Sequence, residues 1–147
     1  QPVIRQARAL RATTLRHPPG HLQRTTAFFL ARGHYDALVR KMDRALTNRA
    51  RAMRAGIARH GLEIAGAADS GGSALWMRAP DGVDTETLAE TLRGEGVLIE
   101  PGRSFFGESD GPSPFYRLGF SSIQEARIEP GLAKVAAAIS AASETAR

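Results

Sequence analysis

Near the end of the chain, apolar and other side chains alternate along the stretch FYRLGFSS at residues 115–122. Successive side chains of a β-strand point to opposite faces, so Tyr116, Leu118 and Phe120 would share one wholly apolar face. The other face carries Arg117. Because a guanidinium stays protonated in proteins, on a half-buried strand it requires an anionic partner or a solvated cleft. The stretch therefore predicts a strand with a core face and an arginine on the face opposite.

Three helices are predicted in the first 60 residues, where apolar positions recur at helical spacings. They run over about 2–15, 22–31 and 35–60. The first ends at a Pro-Pro pair, since the residue before a proline avoids the helical conformation. Gly33 and Gly61 suit the left-handed positions that commonly follow the last turn of a helix. These residues should form a long helical segment at the front of the chain.

After Gly61 the pattern changes to short apolar runs between turn residues, which predicts strands and two more helices. The strands are expected at about 62–65, 74–79, 97–100 and 115–121, the first two joined by the turn at 69–72. Asp84 or Thr85 should cap a helix that ends before Gly96, and Pro130 fits the first turn of a last helix over about 129–142.

This order predicts an α+β domain with a small three- to four-stranded sheet, antiparallel or mixed, covered by helices on one face. The first helices have little sheet to cover, so they are interpreted as a connector. We expect residues 1–147 to form one domain piece, with a helical connector at 1–60 and a small α+β domain at 61–147.

Composition and charge narrow the functional classes. The chain has no cysteine, which excludes disulfides and thiolate metal sites, and no apolar run of about 18 residues that would span a membrane. Residues 1–60 hold thirteen basic and two acidic residues, a net charge of +11, whereas residues 61–147 hold seven and thirteen, a net charge of −6. Because the basic residues follow helical spacing without interleaved aromatics, we interpret them as a solvated helix surface rather than a nucleic-acid interface.

Candidate catalytic groups are scarce. The four histidines, at positions 17, 21, 34 and 60, lack metal-ligand spacing with a carboxylate. Ser121 and Ser122 lack the context of a nucleophile elbow. Lys41 and Lys134 lie on amphipathic helices, where an amine is solvated and not activated. The sequence therefore predicts neither a catalytic residue nor a metal site in this chain.

Three segments in combination resemble a known family: GGSALWM at 71–77, VLIEPGRSFF at 97–106 and YRLGFSSI at 116–123, followed by RIEPGL at 127–132. They resemble the C-terminal part of fold-type I aminotransferases, which depend on pyridoxal phosphate. In particular they are similar to the aminotransferase-like domain of MocR-type transcriptional regulators of the GntR family. The resemblance covers essentially the whole chain.

The resemblance implies a role for the arginine. In this family the arginine of the R-L-x-F-S strand binds the α-carboxylate of an amino-acid substrate or effector, and the matching position is Arg117. A planar guanidinium suits a two-point contact with a carboxylate. The alternative is that Arg117 pairs with a carboxylate of its own chain, such as Glu100. Of the neighbouring residues, Gly102 is expected in a tight turn, Phe105 and Phe106 in the wall of the cleft, and Trp76 in the core.

The resemblance also implies what lies outside these residues. The family's cofactor-binding lysine and aspartate precede the matching segment, so we expect a C-terminal piece of a longer protein that by itself holds no pyridoxal phosphate and is not catalytic. The parent would be a cytoplasmic homodimer that binds DNA through an N-terminal helix-turn-helix domain. Phe28, Phe29 and Leu30 should remain exposed in the isolated piece, as interface residues do.

Three hypotheses stay open. The first two are that the parent is such a regulator, or that it is an ordinary class I/II aminotransferase that acts on an α-amino acid. The upstream sequence would distinguish these two. A free-standing binding module is the third hypothesis, which the length of the chain alone would favour.

Overall fold

The computed structural model describes residues 2–66, 72–106 and 113–145. It contains five α-helices: α1 (Pro2–Thr14), α2 (Gly20–Ala31), α3 (His34–Arg59), α4 (Thr85–Gly94) and α5 (Ile128–Thr145). Its four strands are β1 (Glu63–Ile64), β2 (Ala74–Arg78), β3 (Glu100–Pro101) and β4 (Phe115–Gly119), and short 3-10 helices cover Gly102–Phe105 and Glu125–Arg127. The predicted α+β class is confirmed. The predicted turn at 69–72 lies outside the described residues except for Gly72.

The chain divides into two compact units, residues 1–43 and 44–147. In the first unit, none of the described residues is fully buried. Phe28, Phe29 and Leu30 are exposed to 57%, 37% and 52%, as expected. The rings of Phe28 and Phe29 lie 6.4 and 5.6 Å from the ring of His34. The expected boundary between a connector and a small domain at residue 60 stays a prediction.

The second unit contains the sheet, in which the strand order is β1-β2-β4-β3 and every neighbouring pair is antiparallel. The last strand of the chain, β4, therefore lies between two others. In its register Arg117 pairs with Trp76 of β2 on one side and with Glu100 of β3 on the other. Strand pairing thus brings together three residues that are far apart in the sequence.

The alternation predicted for β4 is confirmed. Tyr116, Leu118 and Phe120 are buried on one face, where they meet apolar residues of β2 and of the helices. The helical contribution comes from Met53 and Ile57 of α3, Leu88 and Leu92 of α4, and Ile128, Leu132, Val135 and Ile139 of α5. Burial raises the pKa of the Tyr116 hydroxyl, which has no hydrogen-bond partner within the described part of the chain. Removal of this apolar surface from water is the main stabilising contribution.

The N-terminus of α4 is capped by Asp84 and not by Thr85, which settles the two alternatives. The carboxylate of Asp84 accepts a hydrogen bond from the backbone N–H of Thr87 at 3.3 Å. Thr85 has a different role, because its buried hydroxyl lies 2.8 Å from the carbonyl oxygens of both Ser113 and Phe115. It thereby links α4 to the start of β4.

The predicted strand at 97–100 is shorter than expected and is found only at Glu100–Pro101. The backbone N–H of Val97 donates to the carbonyl oxygen of Leu92 at 2.9 Å, so it completes the end of α4 and is not available to a sheet. The first and last predicted strands are also shorter, at Glu63–Ile64 and Phe115–Gly119. Left-handed backbone at Gly33 and Gly61 confirms the predicted ends of α2 and α3.

A small charged cluster joins the end of α3 to the start of α5. Arg59 Nη1 lies 2.6 Å from Glu129 Oε2, and His60 Nε2 lies 3.0 Å from Glu129 Oε1. The hydrogen bond from Arg59 lowers the pKa of Glu129, partial burial opposes that change, and the hydrogen bond from His60 adds to it. The carboxylate also lies in the first turn of α5, where a negative charge is favourable.

Replacing Glu129 with glutamine should reduce the acid sensitivity of the fold. A carboxylate with a lowered folded-state pKa stabilises the protein above its unfolded-state pKa, and this contribution is lost as the pH falls through the lower, folded-state value. The variant should therefore be less stable than wild type at neutral pH and equally stable in strong acid. Urea unfolding at a series of pH values measures this, with Glu90→Gln on α4 as control. A constant difference at all pH values would contradict the assignment.

Candidate functional site

Arg117 lies on the face of the sheet opposite to the core, because its neighbours on β4 occupy the core face. Its side chain is 43% exposed. The guanidinium carbon lies 5.7 Å from the ring centroid of Phe105, in the 3-10 helix that follows β3. The arginine therefore projects from the sheet beside the segment 101–106 and is not sealed inside the core.

Glu100 is the anionic partner of Arg117 in this structure. Its Oε1 accepts a hydrogen bond from Arg117 Nε at 3.1 Å and forms an ion pair with Arg117 Nη2 at 2.8 Å. The two residues are cross-strand neighbours in the register of β3 and β4, so the backbone fixes their approach. The internal carboxylate that the sequence left as an alternative thus contacts the arginine, on one edge of the guanidinium.

An aromatic cluster lies on the same face of the sheet, with Phe105 as its member next to the guanidinium. It consists of Trp76, Phe105, Phe106 and Phe115 and is here called the open-face cluster. The ring of Trp76 meets those of Phe105 and Phe106 edge-on at 5.3 and 5.8 Å, and stacks on that of Phe115 at 6.0 Å. Phe105 and Phe106 remain 48% and 42% exposed. Together the rings form an apolar wall next to a cation.

The prediction that Trp76 belongs to the core is wrong. On β2 the core positions are Leu75 and Met77, and Trp76 alternates with them, so its side chain points to the opposite face. It is half-buried, and the rings of Phe105, Phe106 and Phe115 lie against it. The residue expected to support the fold from inside is instead a neighbour of Arg117.

Gly102 begins the 3-10 helix Gly102–Phe105, which is tightly turned backbone as expected. It is not among the positive-φ glycines, so the turn itself does not require a glycine. A Cβ at this position would lie 2.8 Å from the carbonyl carbon of Phe115 and still closer to its oxygen. Gly102 is therefore needed because the segment after β3 passes against the backbone of β4. This close approach brings Phe105 beside Arg117.

Arg49 of α3 is a contact residue that no sequence pattern indicates. Its Nη1 donates to the backbone carbonyl of Ser121, just after β4. Among many arginines at helical spacing, no local signal distinguishes the one that reaches another element. The contact ties the segment that follows Arg117 to α3.

The chain has two lysines, Lys41 and Lys134. The amine of Lys134 donates to the carbonyl oxygen of Glu95 at 2.7 Å, and Lys41 is exposed. Within 2–66, 72–106 and 113–145 no group of three or more potential metal ligands is found. No helix in those ranges is both long and apolar enough for a membrane span.

Comparisons with known proteins relate these features to two kinds of protein. No protein-family model matches the chain. Its sequence is 55% identical over 138 residues to the HTH-type transcriptional regulator TauR of Rhodobacter capsulatus. The matched residues make up 94% of this chain and 28% of the regulator. It is 33% identical over 69 residues to aromatic-amino-acid aminotransferase 1 of Thermococcus litoralis, covering 47% of this chain and 16% of the enzyme. The chain thus spans less than a third of the length of these relatives.

Solved structures of aminotransferases share the fold. One is LysN, the α-aminoadipate aminotransferase of Thermus thermophilus, which superposes with a TM-score of 0.78 at 24% sequence identity. The superposed part covers 99% of this chain and 37% of the LysN chain. A multiple substrate aminotransferase from Thermococcus profundus matches 80% of this chain and 29% of its own with a TM-score of 0.69 at 25% identity. The resemblance drawn from the sequence is therefore confirmed: this chain is an aminotransferase-like domain, related in sequence to part of a helix-turn-helix-type transcriptional regulator.

Proposed function

We propose that this chain is the amino-acid-binding part of an aminotransferase-like transcriptional regulator of the GntR/MocR type, and that Arg117 binds the α-carboxylate of the amino acid. The observation that carries the proposal is the position of Arg117 on the open face of the sheet. The 55% identity to a regulator over 94% of the chain supports the regulatory part. The solved complex of LysN with N-(5'-phosphopyridoxyl)-L-leucine supports an amino-acid ligand for a protein of this fold.

Glu100 does not occupy the whole guanidinium of Arg117. Glu100 takes the edge formed by Nε and Nη2. The other edge includes Nη1, which donates no hydrogen bond to any residue in the described ranges. A carboxylate approaching that edge would gain a charge-assisted contact that fixes its orientation. The open-face cluster would exclude water from one side of the contact and so strengthen it.

The remaining properties are those of the longer protein. We infer that pyridoxal phosphate is held by residues outside this chain, that the parent is a cytoplasmic homodimer, and that it binds DNA through a separate helix-turn-helix domain. The exposed Phe28, Phe29 and Leu30 are consistent with an interface in the parent. This chain alone would bind the carboxylate end of the ligand and carry out no transamination.

A second candidate function is the small domain of a class I/II aminotransferase that acts on an α-amino acid. The 33% identity to an aminotransferase, across 47% of this chain, favours it. In both functions Arg117 has the same task, so the two differ in what surrounds this domain. Sequence upstream of the chain distinguishes them, because a helix-turn-helix segment indicates the regulator.

The carboxylate assignment can be tested from the ligand side. The full-length protein is titrated by calorimetry with the standard L-amino acids and with amines that lack only the carboxylate, such as 3-methylbutylamine for L-leucine. We expect at least one amino acid to bind, and its amine to bind on the order of 30-fold more weakly or worse, the effect of removing one partner of a charged pair. Equal binding of an amino acid and its amine, or no binding by any amino acid, would overturn the proposal.

A further inference from the structure

We propose that Glu100 is a built-in competitor for the ligand's carboxylate, which lowers the affinity of Arg117 for simple anions and so makes binding depend on the rest of the ligand. This inference rests on the proposed function of Arg117 and adds a specificity-determining residue to it. Glu100 would act through its charge on the guanidinium that the ligand contacts.

The geometry of the pair supports competition. A single oxygen, Glu100 Oε1, accepts a hydrogen bond from Nε of Arg117 and lies 2.8 Å from Nη2, so one edge of the guanidinium is filled by a carboxylate of the chain itself. An external carboxylate must either displace Glu100 from this edge or bind the Nη1 edge beside it. In both cases two negative groups share one cation, which weakens the binding of the second.

The pair is also readily reversible. The side chains of Arg117 and Glu100 are 43% and 51% exposed, and ion pairs at that exposure are screened by water and contribute little to stability. A ligand with additional contacts can therefore compete with Glu100, whereas an anion that offers only its charge competes poorly. The open-face cluster next to the pair can supply apolar contacts of this kind.

Glu100 is held in place by the backbone rather than by long-range charge. It pairs with Arg117 in the strand register, the next residue pairs with Tyr116, and the segment that follows lies against β4 at Gly102. The carboxylate thus remains near the arginine when a ligand arrives. A competitor held in the same chain has a high effective concentration that does not depend on the protein concentration.

The test uses Glu100→Gln in the full-length protein, because glutamine keeps an acceptor oxygen and removes the charge. Binding of acetate and of the amino acid found by titration is measured by calorimetry or by competition. We expect both acetate and the amino acid to bind about tenfold more tightly to the variant, because both lose the same competing charge. Glu63→Gln is the matched control, since Glu63 also faces an arginine across the sheet, Arg78 at 3.8 Å, and should change neither affinity.

The double variant Glu100→Gln with Arg117→Ala should lose the gain in acetate affinity. That result would exclude a general effect of net charge. If Glu100→Gln fails to tighten acetate binding, including when neither protein binds acetate detectably, the inference is overturned. Arg117→Ala alone separates the two proposals. If it weakens the amino acid while Glu100→Gln changes nothing, the proposed function stands and only the competitor role fails.

Discussion

Arg117→Ala in the full-length protein is expected to weaken amino-acid binding by about 2–4 kcal/mol, on the order of 30- to 1,000-fold, the usual loss when one partner of a charged hydrogen-bonded pair is removed. Arg117→Lys should recover only part of this, because an ammonium cannot make the planar two-point contact. Binding of pyridoxal phosphate should hardly change, if its ligands lie outside this chain as proposed. Calorimetric titration with cofactor and then with amino acids measures both effects.

Arg78→Ala is the matched control for this experiment. Arg78 lies on the neighbouring strand β2, and it pairs with Asp81 at 2.6 Å and with Glu63 at 3.8 Å. Its loss removes an arginine and an ion pair from the same sheet without touching the open edge of Arg117, so amino-acid affinity should be unchanged. If Arg117→Ala binds the amino acid as tightly as wild type, Arg117 serves only to pair with Glu100.

Gly102→Ala is expected to destabilise the fold by about 2–3 kcal/mol, because overpacking against backbone cannot be relieved by rotating a side chain. The new methyl group would lie 2.8 Å from the carbonyl carbon of Phe115 and 2.9 Å from its Cβ. The 3-10 helix must then move away from β4 and take Phe105 with it. Urea unfolding followed by circular dichroism measures the loss of stability.

The control for this substitution is Gly131→Ala in α5, where a Cβ would meet nothing within 4 Å. There the added methyl group should stabilise the fold by about 0.5–1 kcal/mol, because alanine is the better helix former. Opposite signs for the two substitutions would identify the close approach as the cause. If Gly102→Ala left the stability unchanged, the segment after β3 would be shown to move away from β4 at little cost in free energy.

Sequence patterns predicted those parts of the fold that depend on nearby residues. The apolar periodicity gave the five helices to within a few residues, and the Asp84–Thr85 pair marked the start of α4. The alternation along β4 identified its core face and left Arg117 on the other. Each of these signals is contained within a few turns of helix or a single strand, where local chemistry decides the outcome.

The errors concern contacts between segments distant in sequence. The resemblance predicts a core position for Trp76, whereas its alternation with Leu75 and Met77 on β2 points its side chain to the other face. Its cover comes from Phe105 and Phe106, which no local pattern places there. The requirement for Gly102 depends on how closely β4 passes. Only the assembled sheet shows these relations, because strand register is set by tertiary packing.

Trp76 is the single tryptophan of the chain, and this gives the candidate site its own fluorophore. Its ring stacks on Phe115 with an interplanar angle of 7°, and its backbone pairs directly with that of Arg117. Because indole emission responds to polarity and to nearby charge, a ligand at Arg117 should change the spectrum without any label. Unfolding exposes the same ring to water, so the intrinsic emission reports both occupancy of the site and integrity of the sheet that carries it.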